Sequence, residues 1–364
     1  MRCFVRACVA LVCAVLMPGI AASAEAPARP AGAVRFATFN VSLFGDAPGD
    51  IIARLESGTD AQATLSAAII RAHAPDVLLV QELDRDDDGR ALDLYADLYL
   101  GGEGGIDYPF RAVFPSNTGV ASGVDINGDG EIGAEGRAYG EDALGYGLYP
   151  GQYAFALLSR HPLGTPRTFS KFLWRDMPGN LMPETLPDAA RAVLPLSSKT
   201  HALVPVEIDG QTVWVAAAHP TPPIPRDGNL LKRRNADEIR LLADLLEPTS
   251  SGYATDDAGV AGGLPAESLA VVMGDLNADP DGGNSKEGAI GQLLSHRLMT
   301  DPEPRSVANG LRTAKFSNGK MRVDYVVPSK ALRVAGSGVH WPADDDTLDD
   351  ASDHRLVYVD VVLP

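Results

Sequence analysis

The chain has 364 residues, of which 31 are Lys or Arg and 48 are Asp or Glu, so its formal net charge is −17. This length allows a large buried core, built either as one sandwich or as two domains. Non-specific binding of duplex DNA needs several Lys or Arg contacts with phosphate, and the sequence has no basic run to supply them. The composition therefore disfavours a protein that binds long duplex DNA.

The N-terminal segment has the pattern of a signal peptide. Arg2 and Arg6 flank the start of an apolar stretch over 7–17, and the small residues 22–24 offer a cleavage site. The stretch is too short for a membrane-spanning helix, and no later segment is apolar enough, so no transmembrane segment is expected. We predict a signal peptide over 1–24 and a secreted or periplasmic protein.

The predicted mature chain consists of an Ala/Pro linker over 25–33 and one catalytic domain over 34–364. All three cysteines fall within the leader, so the mature protein has no disulfide and no thiolate chemistry. The leader holds two arginines and no acid, which leaves 29 basic and 48 acidic side chains and a charge of −19. We expect a soluble monomer.

The predicted elements begin with a strand over 34–39, where apolar and polar residues alternate and which ends at Asn40. A helix follows over 59–73, and the next strand, over 76–82, ends at Glu82. The Gly-rich segment 101–151 is too long for an ordinary connection and is expected to be functional or disordered. Further strands are predicted over 153–158, 202–208, 213–218, 269–273, 322–327, 332–340 and 355–363, with an amphipathic helix over 230–246.

Four short polar motifs border these strands in a fixed order. They are Thr-Phe-Asn (38–40), Val-Gln-Glu (80–82), Gly-Asp-Leu-Asn (274–277) and Ser-Asp-His (352–354). Together they supply carboxylates, amides and an imidazole, the groups that hydrolysis of a phosphate ester with a hard divalent cation requires. Each motif alone has a simpler interpretation, as a strand-ending acid, an ordinary turn or a surface histidine.

Asp324 differs because it lies inside an apolar strand, in Arg-Val-Asp-Tyr. A buried carboxylate is costly unless another group pairs with it, and an imidazole is a natural partner. We therefore predict a buried pair between Asp324 and His354.

The ordered motifs resemble those of the endonuclease/exonuclease/phosphatase superfamily, which includes pancreatic-type deoxyribonucleases, exonuclease III-like repair enzymes, neutral sphingomyelinases and inositol polyphosphate 5-phosphatases. The resemblance spans about residues 34–364. It implies an α/β sandwich of four layers, in which two packed, mostly antiparallel β-sheets are flanked by helices, as in deoxyribonuclease I. The predicted strands and helices alone are compatible with either an α/β or an α+β sandwich.

The resemblance also implies roles for individual residues. Glu82 resembles the main metal-binding carboxylate, with Asn40 and Asp353 near the same cation. Asp275 resembles the acid that orients or deprotonates the attacking water, and Asn277 resembles its phosphate-holding neighbour.

The histidines and one tyrosine complete the expected site. His354, paired with Asp324, resembles the imidazole that contacts the scissile phosphoryl oxygens, and His219 resembles the second histidine of the deoxyribonuclease and sphingomyelinase branches. Tyr153 matches a phosphate-contacting tyrosine of the repair-nuclease branch. Carboxylate and amide ligands favour Mg²⁺ or Mn²⁺ at this site. Since the mature chain has no cysteine and no Gly-x-Ser-x-Gly motif, direct attack by water is the expected route.

A second metal site is predicted in the Gly-rich segment. Asp125, Asn127, Asp129 and a glycine at the sixth position follow the pattern of a calcium loop, but the twelfth position is Gly136 and not an acid. The loop is therefore either a structural Ca²⁺ site or an acidic flexible loop. We interpret the acidic run 84–88 and the arginines 233–234 as solvated.

The leading functional hypothesis is an exported, metal-dependent phosphoesterase, more specifically a phosphodiesterase. Its phosphoester substrate is a small molecule, a lipid headgroup or nucleic acid, and the acidic charge disfavours long duplex DNA. Two alternatives remain: an extracellular nuclease, and a non-catalytic, calcium-stabilised binding protein on the same scaffold.

Overall fold

The computed structural model describes residues 28–225, 229–342 and 347–364. The predicted signal peptide over 1–24 lies outside these residues, as does the beginning of the predicted linker. Within the described ranges, no helix combines the length and the apolar character that crossing a bilayer would require.

Two β-sheets form the centre of the structure. The strands are β1 (Val34–Leu43), β2 (Val77–Leu83), β3 (Phe110–Val113), β4 (Phe155–Ser159), β5 (Arg167–Thr168), β6 (His201–Ile208), β7 (Gln211–Ala218), β8 (Leu269–Asp275), β9 (Ala314–Phe316), β10 (Gly319–Met321), β11 (Asp324–Pro328), β12 (Arg333–Val339) and β13 (Val357–Val362). The first sheet has the order β12-β13-β1-β2-β4-β3 and the second β11-β8-β7-β6-β5, while β9 and β10 form a separate hairpin.

Helices cover the outer faces and the connections. They are α1 (Asp50–Glu56), α2 (Ala61–His73), α3 (Arg90–Leu94), α4 (Gly136–Asp142), α5 (Asp188–Val193), α6 (Leu230–Asp244), α7 (Pro248–Ser251), α8 (Gly291–Leu294) and α9 (Leu348–Ala351). A π-helical turn (Tyr95–Leu100) continues α3, and a 3₁₀ turn covers Trp174–Asp176. The predicted helices over 59–73 and 230–246 correspond to α2 and α6.

Each sheet is antiparallel except for one central pair. β1 and β2 are parallel in the first sheet, and β7 and β8 are parallel in the second. A parallel pair needs a long crossover, which α1 and α2 supply in the first case and α6 in the second. The prediction of two mostly antiparallel sheets is therefore confirmed.

The second sheet is apolar on both faces because it lies between the first sheet and α6. Along β7, Val213, Val215 and Ala217 belong to the core shared with the first sheet, whereas Ala216 and Ala218 belong to a second core with α6. Side chains of a strand alternate between faces, so a strand covered on both sides is a continuous apolar run. With α2 on the first sheet, this gives the four layers that were predicted.

The connectivity brings the polar motifs to one edge of the sandwich. The C-terminal ends of β1, β2, β7 and β8 meet there, and β11 begins there because it runs antiparallel to β8. Strand β4 begins at Phe155 rather than at the predicted 153, because Tyr153 has a left-handed backbone conformation with φ 58°. The segment 101–151 is partly regular, with β3 and α4 inside it.

Candidate active site

A pocket of about 560 Å³ opens where the strand ends meet. Five of the predicted residues line it: Glu82, Asp275, Asn277, Asp353 and His354. Asn40, His219 and Asp324 are buried directly behind its wall, where hydrogen bonds or close approaches connect each of them to Asp275 or His354.

Asn40 connects the first motif to the other three. Its Nδ2 donates to Glu82 Oε1 at 3.0 Å and to Asp275 Oδ2 at 3.2 Å. Its backbone carbonyl accepts a hydrogen bond of 2.7 Å from Ser352 Oγ, which also accepts from the backbone N–H of His354 at 3.0 Å. Asn40 Oδ1 accepts a hydrogen bond from the N–H of Ser42, which fixes the orientation of the amide group. The amide nitrogen therefore points at Glu82 and positions its carboxylate by donating a hydrogen bond to it.

His354 lies between two buried carboxylates. Its Nδ1 is 3.0 Å from Asp324 Oδ2, and its Nε2 is 3.6 Å from Asp275 Oδ2. Burial lowers the pKa of His354, but the charges of Asp324 and Asp275 outweigh burial and raise this pKa to about 10. The imidazole is therefore a charged donor at neutral pH. The ring of Phe316, in the β9–β10 hairpin, packs edge-on against it.

His219 approaches the same carboxylate from the other side. Its Nε2 is 3.5 Å from Asp275 Oδ2, and neither ring nitrogen makes a hydrogen bond to a described residue. Burial lowers the pKa of His219, and the amine of Lys199 lowers it further. The two imidazoles at Asp275 therefore differ in protonation, one charged and one neutral.

Asp275 is the common neighbour of these groups. Burial would raise the pKa of Asp275, but His354 and His219 outweigh burial and hold this pKa well below its usual range. The backbone N–H of Asn277 donates to Asp275 Oδ1 at 2.9 Å, and Asn277 Nδ2 donates to the carbonyl of Pro220. Asp275 is thus an ionised acceptor that is held rigidly in the pocket wall.

The backbone is strained at the site. Ser42, Glu82, Tyr153 and Asn277 are non-glycine residues with φ between 51° and 58°. Such conformations are uncommon outside glycine and persist where the surrounding structure enforces them, often at functional sites.

The pocket has the charge of a cation site. Among the described residues that line it there is no lysine or arginine, and its carboxylates include Glu82, Asp275, Asp279, Asp349 and Asp353. Burial raises the pKa of the half-exposed Asp353, and the charges of Glu82 and Asp275 raise it further against the opposing effect of His354. Carboxylates that repel one another in this way are stabilised by a bound cation.

The donor set fits a divalent metal. Ligand atoms of Glu82, His219 and Asp275 lie within 4.8 Å of one another, and so do those of Asp275, Asp324 and His354. Since His354 is held by Asp324 and carries a proton, Glu82 is the residue that would hold the ion, with Asp275 and Asp353 nearby. Their oxygens suit a hard cation.

Tyr153 lies beside this group and not within it. It lines an adjoining cavity together with Glu82, and burial and the charge of Glu82 raise the pKa of Tyr153 to about 12. Its backbone N–H donates to Asp84 Oδ1 at 3.1 Å. Asp84 also accepts from Gly45 N–H and Tyr149 O–H, so the interpretation of 84–88 as wholly solvated was wrong at Asp84.

Helix α6 supports the site from behind, which the sequence reasoning missed. Glu238 accepts from the N–H groups of Ser198 and Thr221, and Asn235 donates to the carbonyls of Thr221 and Leu276. Arg234 is buried as well, donating to the carbonyls of Leu196, Pro195 and Leu144, so its predicted solvation was wrong. The concentration of charged residues on one face of a long helix was the available signal.

The predicted calcium loop lies apart from these residues. Asp125 accepts from the N–H groups of Gly128 and Gly130, and Asn127 Oδ1 accepts from that of Asp129. Asn127 Nδ2 approaches Asp129 Oδ2 at 3.0 Å and Glu141 Oε2 at 3.3 Å. Two acids of α4 therefore contact the loop: Glu141 through the side chain of Asn127, and Asp142, which accepts from the N–H groups of Ile126, Asn127 and Gly133.

A mixed α/β sandwich with a buried His–Asp pair, a second histidine and a glutamate at one edge defines a metal-dependent phosphoesterase scaffold. A family model described as "Endonuclease/Exonuclease/phosphatase family" matches residues 37–354, so the chain belongs to this family. The family consists of metal-dependent hydrolases that act on phosphoric ester bonds, and this chain is a hydrolase of that class.

Solved structures share the fold at low sequence identity. An endonuclease/exonuclease/phosphatase from Beutenbergia cavernae is 19% identical, with a TM-score of 0.54 over 91% of this chain and 72% of that one. A family protein from Leptotrichia buccalis is 16% identical, with a TM-score of 0.51 over 90% and 99%. The human Nocturnin catalytic domain is 16% identical, with a TM-score of 0.52 over 91% and 93%. No curated protein matches the sequence.

Proposed function

We propose that this chain is an exported phosphodiesterase that uses Mg²⁺ or Mn²⁺ and hydrolyses its substrate by direct in-line attack of water. The observation that carries the proposal is the environment of Asp275 Oδ2, which is 3.6 Å from the charged imidazole of His354 and 3.5 Å from the neutral imidazole of His219. A charged donor, a neutral histidine and an ionised acceptor beside a metal-type glutamate are the groups that phosphoryl transfer to water uses.

Each residue has a role that follows from its environment. Asp275 stays ionised, so it orients the attacking water by accepting its hydrogen bond. As the new P–O bond forms and the bond to the leaving oxygen breaks, the proton of the water passes through Asp275 to the leaving oxygen or to solvent, because Asp275 has little tendency to retain it. His354 donates a charged hydrogen bond to a phosphoryl oxygen, and Asp324 keeps its ring oriented and protonated. His219 is neutral, so it donates a hydrogen bond to, or accepts one from, the group that leaves the phosphorus.

Glu82 would hold the cation, with Asp275 and Asp353 nearby and Asn40 positioning Glu82. A bound Mg²⁺ or Mn²⁺ supplies charge neutralisation at the phosphoryl group and at the leaving oxygen.

The charge of the pocket favours a diester over a monoester. A phosphodiester carries one negative charge, whereas a monoester carries close to two at neutral pH. Because carboxylates surround the pocket and its described lining has no lysine or arginine, the substrate with less charge is bound at lower electrostatic cost. The same argument disfavours long nucleic acid, which needs basic contacts along its backbone.

Turnover of two chromogenic esters tests the proposal. Bis-p-nitrophenyl phosphate and p-nitrophenyl phosphate are assayed with Mg²⁺, Mn²⁺, Ca²⁺ or chelator, and we expect metal-dependent cleavage of the diester. The variant His354→Ala should abolish it, while His161→Ala, outside the site, should not. A trapped phosphoryl-enzyme would refute direct water attack, and inactivity on a broad panel of phosphoesters would favour the non-catalytic binding protein.

Export is the second part of the proposal and rests on the leader sequence over 1–24. N-terminal sequencing of protein recovered from the periplasm or the culture medium tests it, with Glu25 as the expected first residue.

A further inference from the structure

A second cavity, of about 430 Å³, adjoins the active-site pocket. The two share three lining residues, Glu82, Pro222 and Ile224. A group bound in this cavity would therefore extend directly from a phosphorus atom held beside Glu82. Among the lining residues of this cavity, Glu82 alone has a role in the proposed reaction, and it lies where the two pockets join.

The wall of the second cavity is mainly apolar. Its side chains include those of Ile126, Tyr146, Leu194, Leu230 and Leu231. At its rim, Tyr146 and Ile224 are unusually exposed for large apolar residues, at 45% and 57%. Pockets of this volume and character bind drug-sized apolar groups.

The charged side chains of the wall are occupied elsewhere, with one exception. Arg234 donates to backbone carbonyls, and Arg137 pairs with Glu141. Lys199 is only 5% exposed, and the charges of Glu238, Glu82 and Asp275 act on its amine without offsetting the cost of its burial. No hydrogen bond joins this amine to those three acids, so it is available to donate to a ligand oxygen in the adjoining cavity.

We propose that this cavity binds the uncharged, largely apolar substituent of a phosphodiester, and that Lys199 donates a hydrogen bond to an oxygen of that ester. The inference rests on the proposed function and specifies its substrate class. The acidic pocket receives the phosphoryl group and the cation, while the apolar cavity receives one of the two esterified groups. The substituent is an aromatic ring or an alkyl chain, since the wall offers both tyrosines and aliphatic side chains.

Three diesters with the same leaving group test the cavity: methyl, phenyl and hexyl p-nitrophenyl phosphate, each assayed with Mg²⁺. We expect the KM of the phenyl or the hexyl ester to be at least about tenfold below that of the methyl ester. A lower KM for the phenyl ester identifies an aromatic substituent, and a lower KM for the hexyl ester identifies an alkyl chain. Equal KM values for all three would overturn the inference.

A cavity-filling variant locates the effect. Leu231 is partly exposed on α6 and lines the cavity, so Leu231→Trp should fill the space and bring the ratio of the KM values close to one. The matched control is Leu98→Trp, at an exposed apolar residue of the π-helical turn, which should leave the ratio unchanged. A preference that survives Leu231→Trp would place the substituent elsewhere.

Lys199→Met tests the amine, with the exposed Lys171→Met as control. We expect the KM of the preferred ester to rise about tenfold, because a hydrogen bond between a charged or polar pair is lost. We also expect the melting temperature to stay equal or to rise, because the cost of burying the amine outweighs the attraction of Glu238, Glu82 and Asp275. A lysine with a purely structural role would instead lower the melting temperature and leave KM unchanged.

A separate measurement keeps the cavity testable if the proposed function fails. If none of the three diesters is hydrolysed, calorimetric titration of phenylphosphonate, hexylphosphonate and methylphosphonate into the Mg²⁺-loaded protein still shows whether the cavity binds an apolar substituent. Tighter binding of phenyl- or hexylphosphonate that Leu231→Trp removes supports the cavity without turnover. Equal affinities would overturn it.

Discussion

Asp275 and Asp324 lie opposite each other on the antiparallel strands β8 and β11, and their carboxylates face the two ring nitrogens of one imidazole, that of His354. Their pKa values move in opposite directions. His354 and His219 hold the pKa of Asp275 low, whereas burial raises the pKa of Asp324 to about 6 despite the opposing charge of His354. Two like groups thereby acquire different roles, one facing the substrate and one supporting the histidine.

Replacing Asp324 with asparagine should reduce turnover without unfolding the protein. Asparagine keeps the shape of the side chain but removes the charge that orients and protonates His354. We expect kcat on bis-p-nitrophenyl phosphate to fall roughly 10- to 100-fold, as when outer-sphere partners of catalytic groups are lost. Asp188→Asn, at a fully exposed residue of α5, is the control. An unchanged kcat would mean that Asp324 is only structural.

The raised pKa of His354 predicts how stability depends on pH in metal-free protein. The folded value is about 10, against an ordinary value of 6.5, so the charged form stabilises the fold fully below about pH 6.5. That contribution is lost as the pH rises towards 10, by ~1.4 kcal/mol per pH unit. Urea unfolding in EDTA should therefore show the advantage of the parent over His354→Gln shrinking between pH 6.5 and 9. A difference that stays constant over this range would contradict the assignment.

Metal binding should stabilise the protein through Glu82. At a Mg²⁺ concentration 100 times its Kd, the free energy of unfolding should rise by about 2.7 kcal/mol, because only the folded chain assembles the ligands. In Glu82→Gln this increase should largely disappear, whereas Glu184→Gln, on the surface, should behave like the parent. Thermal unfolding with and without Mg²⁺ provides the measurement. An equal Mg²⁺ effect in all three proteins would place the ion elsewhere.

The loop containing Asp125, Asn127 and Asp129 should bind Ca²⁺ independently of the active site. Calorimetric titration is best done in the Glu82→Gln background, in which the catalytic site no longer competes. There we expect Asp129→Ala to weaken Ca²⁺ binding about tenfold or more, since a charged ligand is removed. The exposed Asp188→Ala is the control. Equal affinities for all variants would leave the segment as an acidic loop without a metal.

Ser352→Ala should affect both stability and turnover. The hydroxyl donates to the carbonyl of Asn40 and accepts from the N–H of His354, and all three residues are buried. Its removal takes a hydrogen-bond partner from two buried backbone groups, which costs about 1–3 kcal/mol of unfolding free energy. Ser295→Ala, which removes an exposed hydroxyl directly after α8, should cost much less. Denaturant unfolding and activity, measured on the same samples, would show whether the two hydrogen bonds of the Ser352 hydroxyl contribute to stability, to turnover or to both.

The strands and the main polar residues could be predicted because each carries a local signal. The runs at β7 and β8 are continuously apolar since both faces of the second sheet are covered, and such runs are visible without any knowledge of partners. Asp324 stood out because an acid inside such a run needs a partner, and the structure places His354 beside it at 3.0 Å.

Other parts of the site have no local signal. Lys199 follows a serine pair in an unremarkable segment, and only the tertiary structure buries it next to Glu82. Asp84 begins an acidic run that looks solvated, yet Tyr149, which is 65 residues away, covers it. The left-handed backbone at Tyr153 shortens β4, although the propensity of its sequence favours extension. Burial and backbone strain of this kind depend on residues distant in sequence.

The hydrogen bond from Ser352 to Asn40 joins positions 312 residues apart. During refolding, loop closure over such a distance is slow relative to the formation of local helices and hairpins. Catalysis cannot resume until β1 has acquired β2 on one side and β13 on the other, because only that arrangement brings Glu82 and His354 to the pocket and Asn40 to the wall behind it. The rate at which turnover recovers would thus report when the whole sandwich is complete, whereas the circular dichroism signal of the helices would recover earlier.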